Sequence, residues 1–150
     1  MTTVSISDHM QAVVDHLADL NIGRGAPPDA PHGWQGPPGV SPYIPYGIAW
    51  RIGSKDRIRW SLDGDFSRAD ILVFIRCFGG TVGEAEEHLD QVAARMFARH
   101  PETGEWALTI PGRHIIDVEQ QNATTSTETP STEVPLPEAG EFYAINTDPA

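Results

Sequence analysis

Six histidines are the side chains of this chain that could most readily bind a metal or transfer a proton. His9 and His16 lie seven residues apart on a predicted helix, whereas a helical zinc pair has a spacing of four. The other four histidines have no cysteine or carboxylate nearby at a spacing that matches a zinc motif. The pattern favours histidines scattered over the surface, and no metal or other cofactor is expected.

Three short motifs also invite a chemical interpretation. Residues 63–65, with the sequence DGD, resemble the start of a calcium loop but lack its later ligands, so a tight turn is favoured. The Gly79-Gly80-Thr81 turn could bind an anion through backbone amides, but no Walker lysine or dinucleotide fingerprint accompanies it. Cys77 lies in an apolar strand pattern without an activating base, which favours a packing role.

One run could support acid–base catalysis. Glu86, Glu87 and His88 are consecutive on a predicted helix, and their side chains are those of general acids and bases. They fall on the predicted solvent face of that helix, where plain solvation is the more frequent role. A small enzyme therefore stays open as an alternative, while the sequence as a whole favours a protein that is not an enzyme.

The net charge of −11 is distributed unevenly. Residues 117–150 contain seven acids and no Lys or Arg, while residues 1–116 contain fourteen acids against ten bases. This acidity argues against a sequence-independent nucleic-acid binder, which needs cations to displace counterions.

No run approaches the roughly 18 apolar residues of a membrane helix. The start of the chain lacks a signal-peptide pattern, so an intracellular product without membrane contact is expected.

The cations are concentrated around a predicted hairpin. They are Arg51, Lys55, Arg57, Arg59 and Arg68, with Trp50 and Trp60 interleaved. A contact with the acidic face of a protein partner is favoured over nucleic acid, and Glu at positions 57 and 59 is expected to weaken assembly. Trp34, in a proline-rich loop, either tucks under that loop or anchors a partner. The candidate contact residues are thus Trp34, Arg51, Lys55, Arg57, Arg59 and Trp60.

Hydrophobic periodicity predicts the elements that would position these residues. A helix is expected over residues 8–20, capped by Asp8 with Gln11 and ended at Gly23. Residues 24–42, rich in proline and glycine, are expected to form an extended surface loop. Strands are predicted over residues 43–52 and 58–62 and are expected to pair as a hairpin.

The strongest prediction is a strand, a glycine turn and a helix within residues 68–97. One side of the strand carries Ile71, Val73, Ile75 and Cys77, and the other carries Leu72, Phe74, Arg76 and Phe78. A strand that is apolar on both faces is usually central in its sheet and covered on both sides, by helices or by a neighbouring subunit. Thr81 and Glu84 are placed to form the capping box of the helix.

The C-terminal part is expected to supply short strands at residues 106–110 and 114–118. A flexible acidic loop rich in Thr, Ser and Pro is predicted at 119–138, and a last strand within 139–150 returns to the domain. Residues 1–118 with this strand form one predicted α+β domain. Its expected architecture is a small, mostly antiparallel sheet with two main helices packed on it and long loops.

Several segments occur in an order typical of one protein family. They are Pro42-Tyr43 at a strand start, the 63–65 turn, Ala69-Asp70 in a strand that ends near glycine, the helix opening at 81–86, the Pro-Gly turn within 107–112, and Phe142-Tyr143. This order resembles the tail terminator proteins of long-tailed (siphovirus) phages of actinobacteria. Residues 53–62 depart from the family pattern, since they are bulkier than the short glycine-rich turn expected there.

The resemblance implies a tail-terminator-like α+β subunit of a phage virion, assembled in the host cytoplasm as a hexameric ring. Such a ring sits on the last ring of major tail tube protein, stops its polymerisation, and joins the head–tail connector proteins. Genomic DNA passes through the lumen without specific binding, and negative charge there repels rather than retains it. Another neck protein (a stopper or a tail-completion protein) and an adaptor domain whose proline-rich loop binds a partner are the open alternatives.

Overall fold

A 13-residue strand organises the fold. The computed structural model describes residues 6–25, 34–36, 43–51, 58–60, 66–126 and 137–149. The helices are α1 (Ile6–His16), a 3₁₀ turn (Ala18–Leu20) and α2 (Val82–Met96). The strands are β1 (Ile22–Gly25), β2 (Trp34–Gln35), β3 (Tyr46–Arg51), β4 (Ile58–Trp60), β5 (Phe66–Phe78), β6 (Arg113–Ser126) and β7 (Glu138–Pro149).

Within the described residues, the strands form one seven-stranded sheet in the order β2-β1-β3-β5-β7-β6, with β4 paired to β5. The β1–β3 pair is parallel and the remaining pairs of this sheet are antiparallel. Ala69 of β5 pairs with Ile58 of β4 on one side and with Thr147 of β7 on the other, so β4 lies on the β3 side of β5. The predicted α+β class, with a mostly antiparallel sheet and two helices packed on it, is confirmed.

Both helices pack on the same face of this sheet. Ile71, Val73, Ile75 and Cys77 of β5 are at most 1% exposed and share one core cluster with residues of α1 and α2. The helical members include Met10, Val13, Val14, Leu17, Ala85, Leu89, Val92 and Met96. Full burial of one large aliphatic side chain contributes about 1.5–3 kcal/mol, so this cluster dominates the stability of the subunit. Neither described helix is long and apolar enough to cross a membrane.

The start of α2 is confirmed as predicted. Thr81 has an extended backbone, and its Oγ1 accepts a hydrogen bond of 3.1 Å from the Glu84 amide. This contact satisfies one of the amides that a helix start leaves without an intrahelical acceptor. Glu84 in the first turn and Arg95 in the last turn both complement the helix dipole.

The chain around α1 differs from the prediction. Asp8 lies inside the first turn rather than before it, and Gly23 lies in β1 rather than at the helix end. The chain leaves the helix through a 3₁₀ turn that closes on Asn21, whose φ of 59° is left-handed. The Asn21 side-chain amide donates to the carbonyls of Tyr43 and Pro45, at 3.0 and 3.3 Å. Asparagine tolerates this conformation better than most residues, and that signal was missed in favour of glycine.

The predicted hairpin between the strands at 43–52 and 58–62 is wrong. β3 begins only at Tyr46 and pairs with residues 73–78 of β5, whereas β4 pairs with residues 66–69. The two strands therefore follow one another along the same edge of β5. The length of β5 explains this arrangement, because one long strand offers backbone partners to both. Residues 52–57 and 61–65, where the predicted turns fall, lie outside the described residues.

The C-terminal hairpin is longer than the composition predicts. Residues 119–126, expected in the flexible loop 119–138, are the second half of β6, and the ladder with β7 reaches Ser126 opposite Glu138. The β-branched threonines and the backbone ladder favour a strand even where few apolar groups are buried. Residues 127–136 lie outside the described residues.

Residues 106–110, which are described, do not form the predicted strand. Trp106 forms only an isolated bridge to Arg99.

Two histidines connect α1 to other elements, contrary to the predicted scatter over the surface. His9 is 1% exposed, and its Nε2 lies 2.9 Å from Thr147 Oγ1 in β7. His16 Nε2 donates to the Arg95 carbonyl near the end of α2, also at 2.9 Å. Arg95 in turn donates two hydrogen bonds, of 2.7 and 2.6 Å, to the exposed Asp19 carboxylate. These contacts set the position of α1 across the sheet and against α2.

His88 is a third connecting histidine. It is 4% exposed, so the prediction that residues 86–88 all lie on the solvent face is wrong for this one. Its Nε2 donates to the Leu20 carbonyl at 2.5 Å, and its Nδ1 is buried with no hydrogen-bond partner among the described residues. Burial lowers the pKa of His88, against smaller opposing effects of the Leu20 carbonyl and the Glu84 carboxylate. The buried ring is therefore neutral at pH 7.

A pH dependence of stability follows from His88. Because its pKa is lowered in the folded state, its contribution is present above the unfolded-state pKa of about 6.5 and is lost as the pH falls below it. His88→Gln retains a donor for the Leu20 carbonyl and removes the titration. We expect the free energy of unfolding, measured by urea denaturation, to fall less between pH 7.5 and pH 5.5 in His88→Gln than in the wild type.

The matched control is His100→Gln, since His100 is exposed. This variant should keep the pH dependence of the wild type. Equal pH dependence in the wild type and in His88→Gln would show that the buried imidazole does not titrate with unfolding.

Candidate interaction surface

The sheet face opposite the helices carries a row of aromatic rings across three strands. Trp50 of β3, Phe74 of β5 and Phe142 of β7 are register partners. The rings of Trp50 and Phe74 meet edge to face with centroids 4.9 Å apart, and those of Phe74 and Phe142 are 4.5 Å apart. Phe74 is buried, whereas Trp50 and Phe142 are half-buried. Within the described part of the chain no helix packs here, because α1 and α2 both belong to the opposite core cluster.

Arg76 places a cation beside this row. Its guanidinium carbon lies 5.2 Å from the ring centroid of Trp50, 5.8 Å from that of Phe74 and 5.9 Å from that of Phe78. Each such contact contributes roughly 0.5–2 kcal/mol. Arg76 Nε is 3.5 Å from Glu138 Oε2, an ion-pair distance rather than a well-formed hydrogen bond. The side chain stays 31% exposed, so a charged donor remains accessible within an aromatic surface.

We call Trp50, Phe74, Arg76 and Phe142 the aromatic face. Burial raises the pKa of Glu138 at its border, and the nearby Arg76 partly offsets this. Surfaces that combine aromatic rings with arginine are enriched at the centres of protein–protein contacts. The arrangement is suited to binding another protein surface.

Trp34 closes one end of the aromatic face. It is 5% exposed and forms a second apolar cluster with Tyr46, Ile48 and Phe78. The rings of Tyr46 and Phe78 stack with centroids 5.0 Å apart, and burial raises the pKa of Tyr46 to about 12. Of the two roles that the sequence left open for Trp34, the structure shows the tucked one. Its indole supports the surface from within and is not an exposed anchor in the single chain.

Three of the other predicted contact residues, Arg51, Arg59 and Trp60, lie in the strands that pair with the same side of β5. Arg51 ends β3 opposite Val73, and Trp60 of β4 pairs with Phe66. Lys55 and Arg57 lie outside the described residues.

Arg59 is directly opposite Arg68 in the β4–β5 register.

Three buried ionisable groups, Cys77, Glu141 and Tyr143, lie on the helix side of the sheet. Cys77 is fully buried, and this burial, together with the Glu141 carboxylate, raises the pKa of its thiol. The Tyr143 hydroxyl donates to the Glu141 carboxylate, and burial followed by this bond raises the pKa of Tyr143. A neutral thiol is a poor nucleophile, so the predicted packing role of Cys77 agrees with its position. Residues 6–25, 34–36, 43–51, 58–60, 66–126 and 137–149 hold no group of three or more metal-ligating side chains.

The sequence pattern predicts one strand of the aromatic face, β5, but not which strands lie beside it. The alternation of β5 places Phe74 and Arg76 on one side, but the wrong hairpin removed Trp50 from their vicinity. The one local signal was Gly140, which is opposite Arg76 in the β5–β7 register. A Cβ at Gly140 would lie 2.5 Å from Phe74 Cζ, so only glycine leaves room for the ring to lie across β7.

Comparisons with known proteins assign no family to this geometry. No family model matches the chain, and a search of curated proteins finds no match either.

Replacing Gly140 tests the packing of the aromatic row. The added methyl of Gly140→Ala must displace the Phe74 ring, and overpacking of this kind costs about 1–3 kcal/mol. We expect the free energy of unfolding in urea to decrease by that amount. Gly83→Ala is the control, because a Cβ there would have only Thr81 Oγ1, at 3.9 Å, within 4 Å. Should Gly140→Ala be as stable as Gly83→Ala, the close approach between Phe74 and β7 is not present in solution.

Proposed function

We propose that this chain is a structural protein of a phage virion, a tail terminator whose copies form a hexameric ring on the end of the tail tube. The ring stops polymerisation of the major tail tube protein and provides the surface to which the head–tail connector proteins join. Genomic DNA passes through the lumen without specific binding. The activity is capping. One surface of the ring complements the tube end, and the opposite surface lacks the contacts that a further ring of tube protein would need to bind.

The observation that carries this proposal is the aromatic face. A strand that is apolar on both sides is usually covered on both sides, and α1 and α2 cover only one side of β5. Trp50 and Phe142 are half-buried, and Arg76 offers a donor to a partner's carboxylate or carbonyl. Covering these side chains with a neighbouring copy contributes roughly 25 cal/mol per Å² of apolar surface removed from water. The face is thus suited to a contact between subunits.

The fold and the charge also support the proposal. The sequence resemblance implies an α+β subunit with helices on a small sheet, and this chain has that architecture. A net charge of −11 suits a ring around DNA, because an acidic wall repels the phosphate backbone. The same charge makes identical subunits repel one another. Assembly then depends on apolar contacts and on local cations, which the aromatic face and the cluster of cations within residues 51–68 supply.

Electron microscopy of the purified protein tests the proposal. We expect negative-stain images of the chain alone to show rings with six-fold symmetry. Mixed with polymerising tail tube subunits, the rings should cap tubes and stop their growth. Rings that bind a connector but never a tube end would assign the chain to another neck protein, such as a stopper. A persistent monomer that ignores tubes would refute a structural role at the head–tail junction.

Substitutions on the aromatic face test the observation that carries the proposal. Trp50→Glu combined with Phe142→Glu places two carboxylates in the surface to be covered, so we expect rings to dissociate while the circular dichroism spectrum of the subunit is retained. Ala94→Glu is the control, since Ala94 is exposed on α2. Analytical ultracentrifugation gives the assembly state. Intact rings in the double variant would exclude the aromatic face from the contact.

A further inference from the structure

Two exposed apolar side chains lie next to each other just before β3. Tyr43 is 77% exposed and Ile44 is 47% exposed, the largest exposed fractions among the large hydrophobic residues that the structure describes. The backbone beneath them is held by Asn21, whose side-chain amide donates to the carbonyls of Tyr43 and Pro45. The Asn21 carbonyl in turn accepts a hydrogen bond of 3.0 Å from the Gly47 amide. We call Tyr43 and Ile44 the apolar knob.

The knob has the properties of a contact site. Tyrosine is enriched at the energetically dominant positions of protein interfaces, because its large ring offers contact area at a low cost in conformational entropy. A backbone that is already fixed also loses little entropy on binding. The two side chains carry no charge, so they can approach a second copy of a chain with a net charge of −11 without adding repulsion.

A groove along α1 is large enough to receive this knob. It lies between α1 and the turn that precedes β6, and its volume is about 520 Å³. Volumes of about 300–1,000 Å³ are typical of ligand pockets, so a tyrosine side chain and its neighbour can be accommodated. The described lining residues include Gln11, Ala12, Asp15, Thr109, Ile110 and Pro111, and none of them belongs to the knob. The knob therefore does not fill the groove of its own chain.

The chemistry of the groove suits a tyrosine. Ala12 and Ile110 are buried and form an apolar floor, whereas Asp15 is exposed at the rim. The floor can cover an aromatic ring, while the carboxylate accepts a hydrogen bond from the phenol hydroxyl. Gln11 holds that carboxylate in place, since its side-chain amide donates to Asp15 Oδ1 at 2.8 Å, and a carboxylate can accept further bonds. An acidic rim disfavours an anionic occupant and favours a neutral group with a hydroxyl donor.

We infer that the α1 groove receives the apolar knob of a second copy of this chain. The inference rests on the proposed ring and names one of the contacts that hold it together. Knob and groove are different surfaces, so each copy uses its knob toward one neighbour and its groove toward the other. A head-to-tail contact of this kind generates a ring when the rotation closes.

The contact is compatible with covering the aromatic face in the same interface. The groove lies on the helix side of the sheet, because its floor residues belong to the core cluster there, and the aromatic face lies on the opposite side. The knob precedes Tyr46 by three residues, and Tyr46 belongs to the cluster at one end of the aromatic face. A neighbour whose helices cover the aromatic face can thus receive the knob. A stable interface buries roughly 1,600 Å², more than a knob alone supplies, so both surfaces contribute.

Two complementary variants test the contact. The knob variant is Tyr43→Ser/Ile44→Ser, and the groove variant is Thr109→Arg, which places a long side chain in the groove from an exposed position. Each variant alone should sediment as a monomer at a concentration where the wild type forms rings. An equimolar mixture should form one-to-one dimers and no rings. The intact groove of the knob variant then binds the intact knob of the groove variant, and the remaining halves cannot pair.

The matched controls replace exposed residues outside both surfaces. Ile116→Ser removes another exposed apolar side chain, and Thr103→Arg introduces the same cation in the loop after α2. Both should form rings like the wild type. Far-UV circular dichroism and a cooperative thermal transition are required of every variant. Tyr43→Ser alone replaces a knob variant that fails to fold, and Thr109→Trp replaces a groove variant that does.

Each other result overturns the inference. Rings that persist in the knob variant or in the groove variant exclude that surface from the contact, although the proposed ring stands. A mixture that stays monomeric shows that the two surfaces do not meet between copies. Rings recovered in the mixture show that half of the knob–groove contacts are dispensable, which contradicts a contact on which the ring depends. Loss of rings in either control shows that assembly responds to surface substitution in general.

A peptide separates this inference from the proposed function. It comprises residues 41–47, SPYIPYG, and the receptor is the knob variant, whose groove no neighbouring copy fills. We expect saturable NMR shifts of α1 amides, and binding weakened by about tenfold when the peptide carries Phe at position 43, because the bond to the Asp15 carboxylate is lost. The control peptide carries Ser at positions 43 and 44.

The two hypotheses then fail in different ways. If the peptide binds at α1 and the wild-type chain forms head-to-tail oligomers that never close, the proposed ring is refuted and the knob–groove contact stands. If the wild type forms rings but the peptide and its control shift the α1 amides equally, or not at all, the contact is refuted and the ring stands.

Discussion

The packing of β5 on both of its faces is the constraint on which the rest of the structure depends. On one side Ile71, Val73 and Ile75 are in contact with α1 and α2 and form the main core. On the other side Phe74 and Arg76 form the centre of the aromatic face. Because the strand is central in the sheet, its position determines where β3, β4 and β7 lie. A change that shifted β5 by one residue would exchange the core and the surface.

The sequence predicts those parts of the fold that depend on local patterns. The alternation of β5 and the cap at Thr81 are properties of neighbouring residues, and both are confirmed. Pairing partners over longer distances were not predictable in the same way. The positions of β3 and β4 along one side of β5 depend on the length of that strand, which was predicted to begin only at residue 68 and begins at Phe66. Likewise, β6 extends through a polar segment because β7 supplies backbone partners, which composition alone does not show.

The candidate surfaces show the same division. The basic cluster that includes Arg57 and Arg59 is visible in the sequence, and its role in a contact stays a prediction. The aromatic face was not predicted, since it joins Trp50, Phe74 and Phe142 from three strands whose register only the fold reveals. The buried histidines were missed for a related reason. A histidine ring can be buried when a carbonyl lies within hydrogen-bonding distance, as the Leu20 carbonyl does for His88, and only the fold shows where such a carbonyl lies.

Covalent trapping at the aromatic face is the most direct test of the claim that this face joins copies of the chain. Position 142 is replaced by the photoreactive aromatic residue p-benzoylphenylalanine, which retains the ring that faces outward beside Phe74. After irradiation under conditions of assembly, mass spectrometry identifies the linked residues. We expect covalent dimers with links from position 142 to a second copy. Links confined to the same chain, at a concentration where rings are present, would contradict the claim.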